Sequence, residues 1–433
     1  MRALAAPKSR ISVFLSARGF AAAFKYLVSY KKTGGLQTCG IGEGEESQVR
    51  FFGFSFPKAV GNSSALAFQT LLWSFGALEA GLWPSQYVDG STCTASGNLA
   101  GQPLTSAGWS GVLLFLKGDL EFMCNDVGLP HWGRNDCCGL CMANKSDLNY
   151  KDLRKTASWR CTTHTPQGFR DRFGQDDRHP LLRFLASSGG PFAWALDTLH
   201  LLDYHGVSSH IIASVFTDIV KDDEFATGRQ AASLQLLNEK LLAYYRLYKI
   251  HDRVFINLKI MNAEGNSEFP MLAGPAVKGA TCRALVPFVA SLTQELVGES
   301  RVSQRRAEML QGLVKVQNVL ETSGMFLTPL RILELEYALQ ELLSNYHYVA
   351  GYHMERGNVR YNVTFKFHYT HHLGSLGKVV NPNKLNTYME ESFLAAGARL
   401  YNHGAYAGKV QEVILKKYLT ALQLRYAVPV LVL

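Results

Sequence analysis

The chain has 433 residues, 47% hydrophobic and 18% charged. That excludes disorder throughout and leaves room for two or three domains around at least one large core. The net charge of +9 is uneven: residues 1–42 carry seven Lys/Arg and no acid, residues 356–433 carry ten Lys/Arg and three acids, and residues 43–355 therefore sum to −5. A basic tail over a mildly acidic body is what a polyanion such as nucleic acid selects, through release of phosphate counterions; a solvated helical face carries the same charge. Eight cysteines are too few for a disulfide scaffold, and five of them crowd between Cys124 and Cys161, the pattern of a local metal site in a reducing compartment. The nearest approach to the ~18 uninterrupted apolar residues of a membrane span, Ala65 to Trp83, is broken by Gln69, Ser74 and Glu79. A soluble protein with no membrane partner is expected.

Residues 1–42 are basic, Ser-containing and free of acids until Glu43, which fits an organelle transit peptide and equally a ragged start of a longer frame. Val49 to Lys58 alternates like a strand, and Ala65 to Gly81 has helical apolar spacing. A Gly/Ser/Thr-rich loop, Gly90 to Gly108, leads to an apolar run, Gly111 to Met123 (GVLLFLKGDLEFM), which reads as a buried strand delivering Asp119 and Glu121 at its end. Residues 124–190 lack regular periodicity, hold the cysteines and the polar loop Gly168 to His179, and read as an insertion. Segments 208–225, 228–249, 279–298, 301–323 and 327–349 predict helices, with Ser208 and Thr328 as caps. Val359 to Tyr369 is β-like, and two helices, 386–401 and 408–424, close the chain. The fold class expected is α+β, divided as a basic segment 1–42, a β-containing part 43–123, a Cys/His insertion 124–190, a helical region 191–350 and a basic closing region 351–433.

The sharpest local signal is Cys138-Gly-Leu-Cys141 followed by Cys161-Thr-Thr-His164. Two residues between ligands let a pair reach one ion, and the spacer closes a loop that the metal pins, the arithmetic of a structural, tetrahedral Cys3His zinc site. His131 and Cys137 are spare ligands. Asp119 ends the apolar run where a metal-dependent phosphoryl-transfer site needs its carboxylate, which is also where a solvated strand end carries one. In Asp197-Thr-Leu-His200 the i, i+3 spacing puts both side chains on one helix face. Such a carboxylate–imidazole pair fixes a tautomer beside a metal or phosphate, or is a buried structural pair. Further on come Lys366-Phe-His368-Tyr, His371-His372, Asn381-Pro382 and Tyr388-Met-Glu390-Glu391, acids that also suit a helix N-terminus.

In this order, GDLEF, C-x2-C, D-x2-H, a long helical stretch, then H-x2-H, NP and Y-x-EE resemble the transposase-derived reading frames of cut-and-paste DNA transposons, over roughly residues 75–425. The resemblance implies a ribonuclease-H-like mixed sheet interrupted by a zinc-binding insertion, with a mainly helical C-terminal half. It implies that Asp119 is the second of three acids holding two Mg²⁺ or Mn²⁺ ions, that Glu390 or Glu391 is the third, and that Asp197 and His200 support them. Cys138, Cys141, Cys161 and His164 become the zinc knuckle, and Lys366, Lys409, Lys416 and Lys417 face the duplex backbone. The first acid is the departure: the only Asp between Met1 and Lys117 is Asp89, close to Asp119 for that topology, so either Asp89 substitutes for it or the site has lost one metal ligand. The expectation is a nuclear DNA-binding protein, or an organellar one by its N-terminus, in homo-oligomeric form or not, with an impaired strand-cleaving site. The rival expectation is a non-catalytic zinc-stabilised module that binds nucleic acid or protein.

Overall fold

The computed structural model describes residues 27–31, 35–37, 63–93, 97–104, 109–175, 179–265 and 267–388. The result is a mixed α/β architecture dominated by helices. The chain divides into two units, each assembled from segments distant in sequence: Met1–Leu129 with Thr165–Ala195 and Thr387–Leu433, and Pro130–His164 with Leu196–Asn386. The expected strand Val49 to Lys58 and the two closing helices lie outside the described residues. No described helix is long and apolar enough to cross a membrane.

In the first unit, β1 (Leu27–Lys31) lies between β2 (Gly35–Gln37) and β3 (Trp109–Leu113), antiparallel to both, with Ser29 opposite Gln37 and Leu27 opposite Leu113. Helix α1 (Ser63–Ala80) ends at Gly81, whose φ of 68° is the left-handed turn that stops helices. The apolar run 111–123 is not one strand. It breaks after β3, resumes as β4 (Leu116–Gly118) and turns into α2 (Leu120–Asn125). Asp119 causes the turn, because its carboxylate accepts the Phe122 N–H at 2.7 Å and caps α2, which moves Glu121 into the helix's first turn. Phe122 folds back over Gly118 and meets the Phe68 ring edge-on at 6.5 Å. The segment expected to be a polar loop from Gly168 begins instead inside α3 (Pro166–Phe173), where Thr165 caps the helix by accepting the Gly168 N–H at 3.0 Å and Pro166 fills the first position. After α4 (Pro180–Ser188), β5 (Trp194–Leu196) pairs with β4 in a two-stranded parallel sheet.

The second unit is helical. Five helices stand where the apolar periodicity places them: α5 (Val207–Lys221), α6 (Gln230–Leu247), α7 (Gly279–Glu295), α8 (Arg301–Thr322) and α9 (Pro329–Glu355). Thr328 caps α9 as expected. Ser208 does not cap α5: the helix starts a residue earlier after Gly206, and Ser208 is buried within it. Helix α5 is buried all round from Val207 to Val220, so the others wrap it. Helices α8 and α9 form an antiparallel hairpin in which Gly312 lets the two backbones come close. An added Cβ there would lie 2.7 Å from the Leu342 amide nitrogen. Asn381 ties off the end of α8, its side-chain amide donating to Leu320 O at 2.9 Å and Ser323 O at 3.1 Å.

One buried carboxylate joins three of these segments. Asp218 of α5 accepts from Arg306 of α8 at 3.1 Å, from Arg360 at 2.6 Å and from the Tyr361 hydroxyl, while Arg306 also forks onto Glu224 at 2.6 and 2.7 Å. Removing one side of such a cluster leaves buried charge uncompensated. Arg306→Met is therefore expected to cost about 3–5 kcal/mol in chemical denaturation, and Gly312→Ala about 1–3 kcal/mol by pushing α8 off α9; unchanged midpoints in either variant would contradict this packing.

Candidate metal centre

The segment 130–164 has little regular structure to hold it, only a short 3₁₀ turn at Ser158–Thr162. Its order comes from a knuckle. Within Cys138–Cys141 the chain turns so that the Leu140 N–H points at Cys138 Sγ (3.3 Å) and the Ala143 N–H at Cys141 Sγ (3.4 Å), bonds that favour negative sulfur. Opposite stands α10 (Phe365–Gly377), a helix where alternation had suggested a strand from Val359 to Tyr369. On α10, His368 and His372 are one turn apart on the same face. Cys138, Cys141, His368 and His372 are all buried, and their ligand atoms lie within 4.8 Å of one another.

The separations are those of a tetrahedron around one zinc ion. Bonds of about 2.3 Å to sulfur and 2.0–2.1 Å to nitrogen require roughly 3.6 Å between S and N and roughly 3.3 Å between the two N. The structure has Cys138 Sγ to His372 Nε2 at 3.7 Å, Cys141 Sγ to His368 Nε2 at 3.4 Å, and Nε2 to Nε2 at 3.4 Å. Two soft sulfurs and two imidazoles filling all four positions suit zinc in a structural role, with no position left for water. Burial holds His368 below the ordinary imidazole value despite Cys138 beside it, which favours the neutral form that ligates. Without the ion the sulfurs are ill-matched. Burial, with Cys138 adding to it, pushes the Cys141 thiol far up. Burial also resists ionisation of Cys138, but hydrogen bonding with Cys141, the pull of His368 and hydrogen bonds with both histidines outweigh it and bring that thiol well down. A divalent cation offsets both penalties at once.

The surroundings hold the ligands rather than join them. Gly139 N–H donates to the Tyr369 hydroxyl at 3.1 Å, tying the knuckle to α10. Trp159, fully buried, packs edge-on against His368 with ring centroids 4.2 Å apart and anchors its own Nε1 on Asp152 O at 2.8 Å. His371 turns to Arg160, with Nδ1 2.8 Å from the guanidinium, and burial, with His372 and Arg160 nearby, drops its value to about 2.

The expected second half of the zinc site is corrected. Cys161 is exposed and its thiol donates to Ser158 O at 2.9 Å. His164 braces the knuckle through its backbone, whose N–H donates to Leu140 O at 2.9 Å. His368 and His372 take their places. Of the spare ligands, Cys137 donates to Ala143 O, with burial pushing its thiol to about 12, and His131 Nδ1 accepts the Gly133 N–H. The signal missed was an H-x3-H spacing inside an apolar run, FKFHYTHHLGSLG, which supplies the two ligands that C-x2-C lacks.

The other expected residues fall elsewhere. Asp197 and His200 do pair, carboxylate to Nδ1, and the second Asp197 oxygen accepts the Leu199 N–H at 3.1 Å at the start of a single π-turn, Leu199–Asp203. Asp89 is exposed in a turn, both its Ser91 bonds lowering its carboxyl. Asp119 caps α2 in the first unit. Lys366 donates to the backbone oxygens of His205 (2.9 Å) and Tyr204 (3.4 Å). Glu390, Glu391, Lys409, Lys416 and Lys417 lie outside the described residues. No family model matches this chain, and no curated protein matches it.

Metal analysis of the purified protein is expected to find about one zinc per chain. Cys138→Ser and His372→Ala should each lose it and unfold at distinctly lower denaturant, while Cys161→Ser should keep both metal and stability. Zinc retained by His372→Ala, or lost by Cys161→Ser, would restore the Cys3His assignment, and zinc retained by Cys138→Ser would remove the knuckle from the site altogether.

Proposed function

We propose that this chain is a transposon-derived DNA-binding protein: a ribonuclease-H-like core held by a zinc staple, with a two-metal carboxylate site that is incomplete. The observation that carries the reading is the convergence of two of its ordered motifs. The C-x2-C after GDLEF and the histidines after the helical stretch are separated by 227 and 234 residues, yet they face each other in one buried cluster. A chance arrangement of motifs has no reason to close in this way.

On this reading Asp119 and one of Glu390 and Glu391 are the metal-holding acids, and Asp197 with His200 is the supporting pair. Two Mg²⁺ or Mn²⁺ ions in a complete site of this class activate the attacking oxygen and stabilise the leaving one. The deficit is the first acid. Asp89, its only counterpart, has its carboxylate engaged by Ser91 in an exposed turn, and Asp119 is engaged as a helix cap. The proposal is therefore a protein that holds DNA without cutting it, acting in the nucleus.

A strand-cleavage assay with Mn²⁺ or Mg²⁺ on a duplex tests it. Binding that weakens steeply between about 50 and 200 mM salt, with no cleavage and with Asp119→Ala binding as the wild type does, is the expected result. Cleavage abolished by Asp119→Ala would establish an active transposase, and no DNA binding at the lower salt would leave a zinc-stabilised protein-interaction module.

A further inference from the structure

The second unit pairs its cations with care: Arg306 and Arg360 with Asp218, Lys315 with Glu341 and Arg305 with Glu308. One short stretch concentrates cations without doing so. Between Arg246 and Lys259 the chain has four Lys/Arg against the single acid Asp252, within a body that is net acidic. Asp252 lies 3.7 Å from Lys278. Arg246, Lys249 and Lys259 are exposed, and among the described residues none of them meets an acid. Fixed charge without a counter-charge is held ready for an outside anion.

The same stretch displays aromatic rings. Helix α6 ends at Leu247, the chain reverses through Tyr248 and Lys249, the latter at a left-handed φ of 53°, and it returns alongside α6. The returning strand has no strand partner. Two α6 side chains replace one: Asn238 accepts the Ile256 N–H at 2.9 Å and donates to Ile256 O at 2.8 Å, while the Tyr245 hydroxyl bridges Val254 N and O at 3.3 and 3.2 Å. With the peptides on both sides clamped, Val254 and Ile256 point inward, and alternation turns Phe255 outward, 60% exposed. Tyr248 is 63% exposed on the same reversal. Two exposed rings on one short reversal that also carries uncompensated cations are available to an outside ligand.

We infer that this reversal is a binding surface for single-stranded nucleic acid, in which Arg246, Lys249, Arg253 and Lys259 follow the phosphates and an unpaired base stacks on Phe255, with Tyr248 as a second platform. Unpaired cations beside rigid, exposed rings are the combination that single strands use, because every base has a π-face and every linkage a charge. A duplex satisfies the charges but hides its bases. The inference rests on the DNA-binding reading and assigns it a surface.

Fluorescence anisotropy of the full chain with labelled oligo-dT of about 20 nucleotides, and with a duplex of equal length, tests it at about 50 mM salt. Arg246→Glu/Lys249→Glu/Lys259→Glu, at exposed positions with no partner to lose, should weaken oligo-dT at least tenfold and lessen its salt dependence. Phe255→Ala should weaken oligo-dT about fivefold or more and leave the duplex within twofold. Zinc content and unfolding midpoint, matched to wild type, show that each variant is folded. Oligo-dT bound as tightly by either variant as by wild type overturns the surface and leaves the DNA-binding reading standing. Equal losses on both substrates in Phe255→Ala overturn the stacking role. Wild-type protein that binds neither substrate overturns both.

Discussion

The meeting of the C-x2-C knuckle with two histidines of α10 is the constraint on which the second unit turns. The segment 130–164 has no sheet and almost no helix to order it, so its backbone must be fixed from outside. The knuckle does this through four ligand atoms, and Tyr369, Trp159 and the backbone of His164 extend the hold to the whole segment. Closing a loop of more than two hundred residues at one point is entropically expensive, which suits a bond as strong and as specific as zinc coordination.

The cluster does not act alone. Asp218 gathers Arg306, Arg360 and Tyr361, and Tyr361 N–H donates to Ser214 at 3.1 Å. The residues just before α10 are thus pinned to the buried helix α5, and α10 itself is pinned to the knuckle a few residues later. Both devices are polar clusters buried where each member supplies what its neighbour requires, and the order of the helix carrying His368 and His372 depends on both.

Functionally, the molecule spends its acids differently from a working nuclease. Asp119 caps a helix, Asp89 closes a turn, and Asp218 neutralises two arginines. Asp197, buried and paired with His200, is the one of these held beside an imidazole. On the proposed reading, a chain that holds DNA without cutting it has no need to free the others.

Residues 207–355 were legible as helices because period-3.6 burial is a local property, and Thr328 was legible as a cap because its bond reaches only three residues ahead. The cysteine knuckle was legible for the same reason, its two ligands being three positions apart. What lay beyond reach was long-range. Residues 359–369 alternate as a strand does, yet form the approach to a helix because Asp218 and the knuckle fix both its ends. Cys161 and His164, nearer in sequence and equally good ligands, lost to His368 and His372 because coordination depends on distance in space, and only the packed helices set that distance. Composition and spacing pointed to a metal site; tertiary structure decided which four residues come together to offer one.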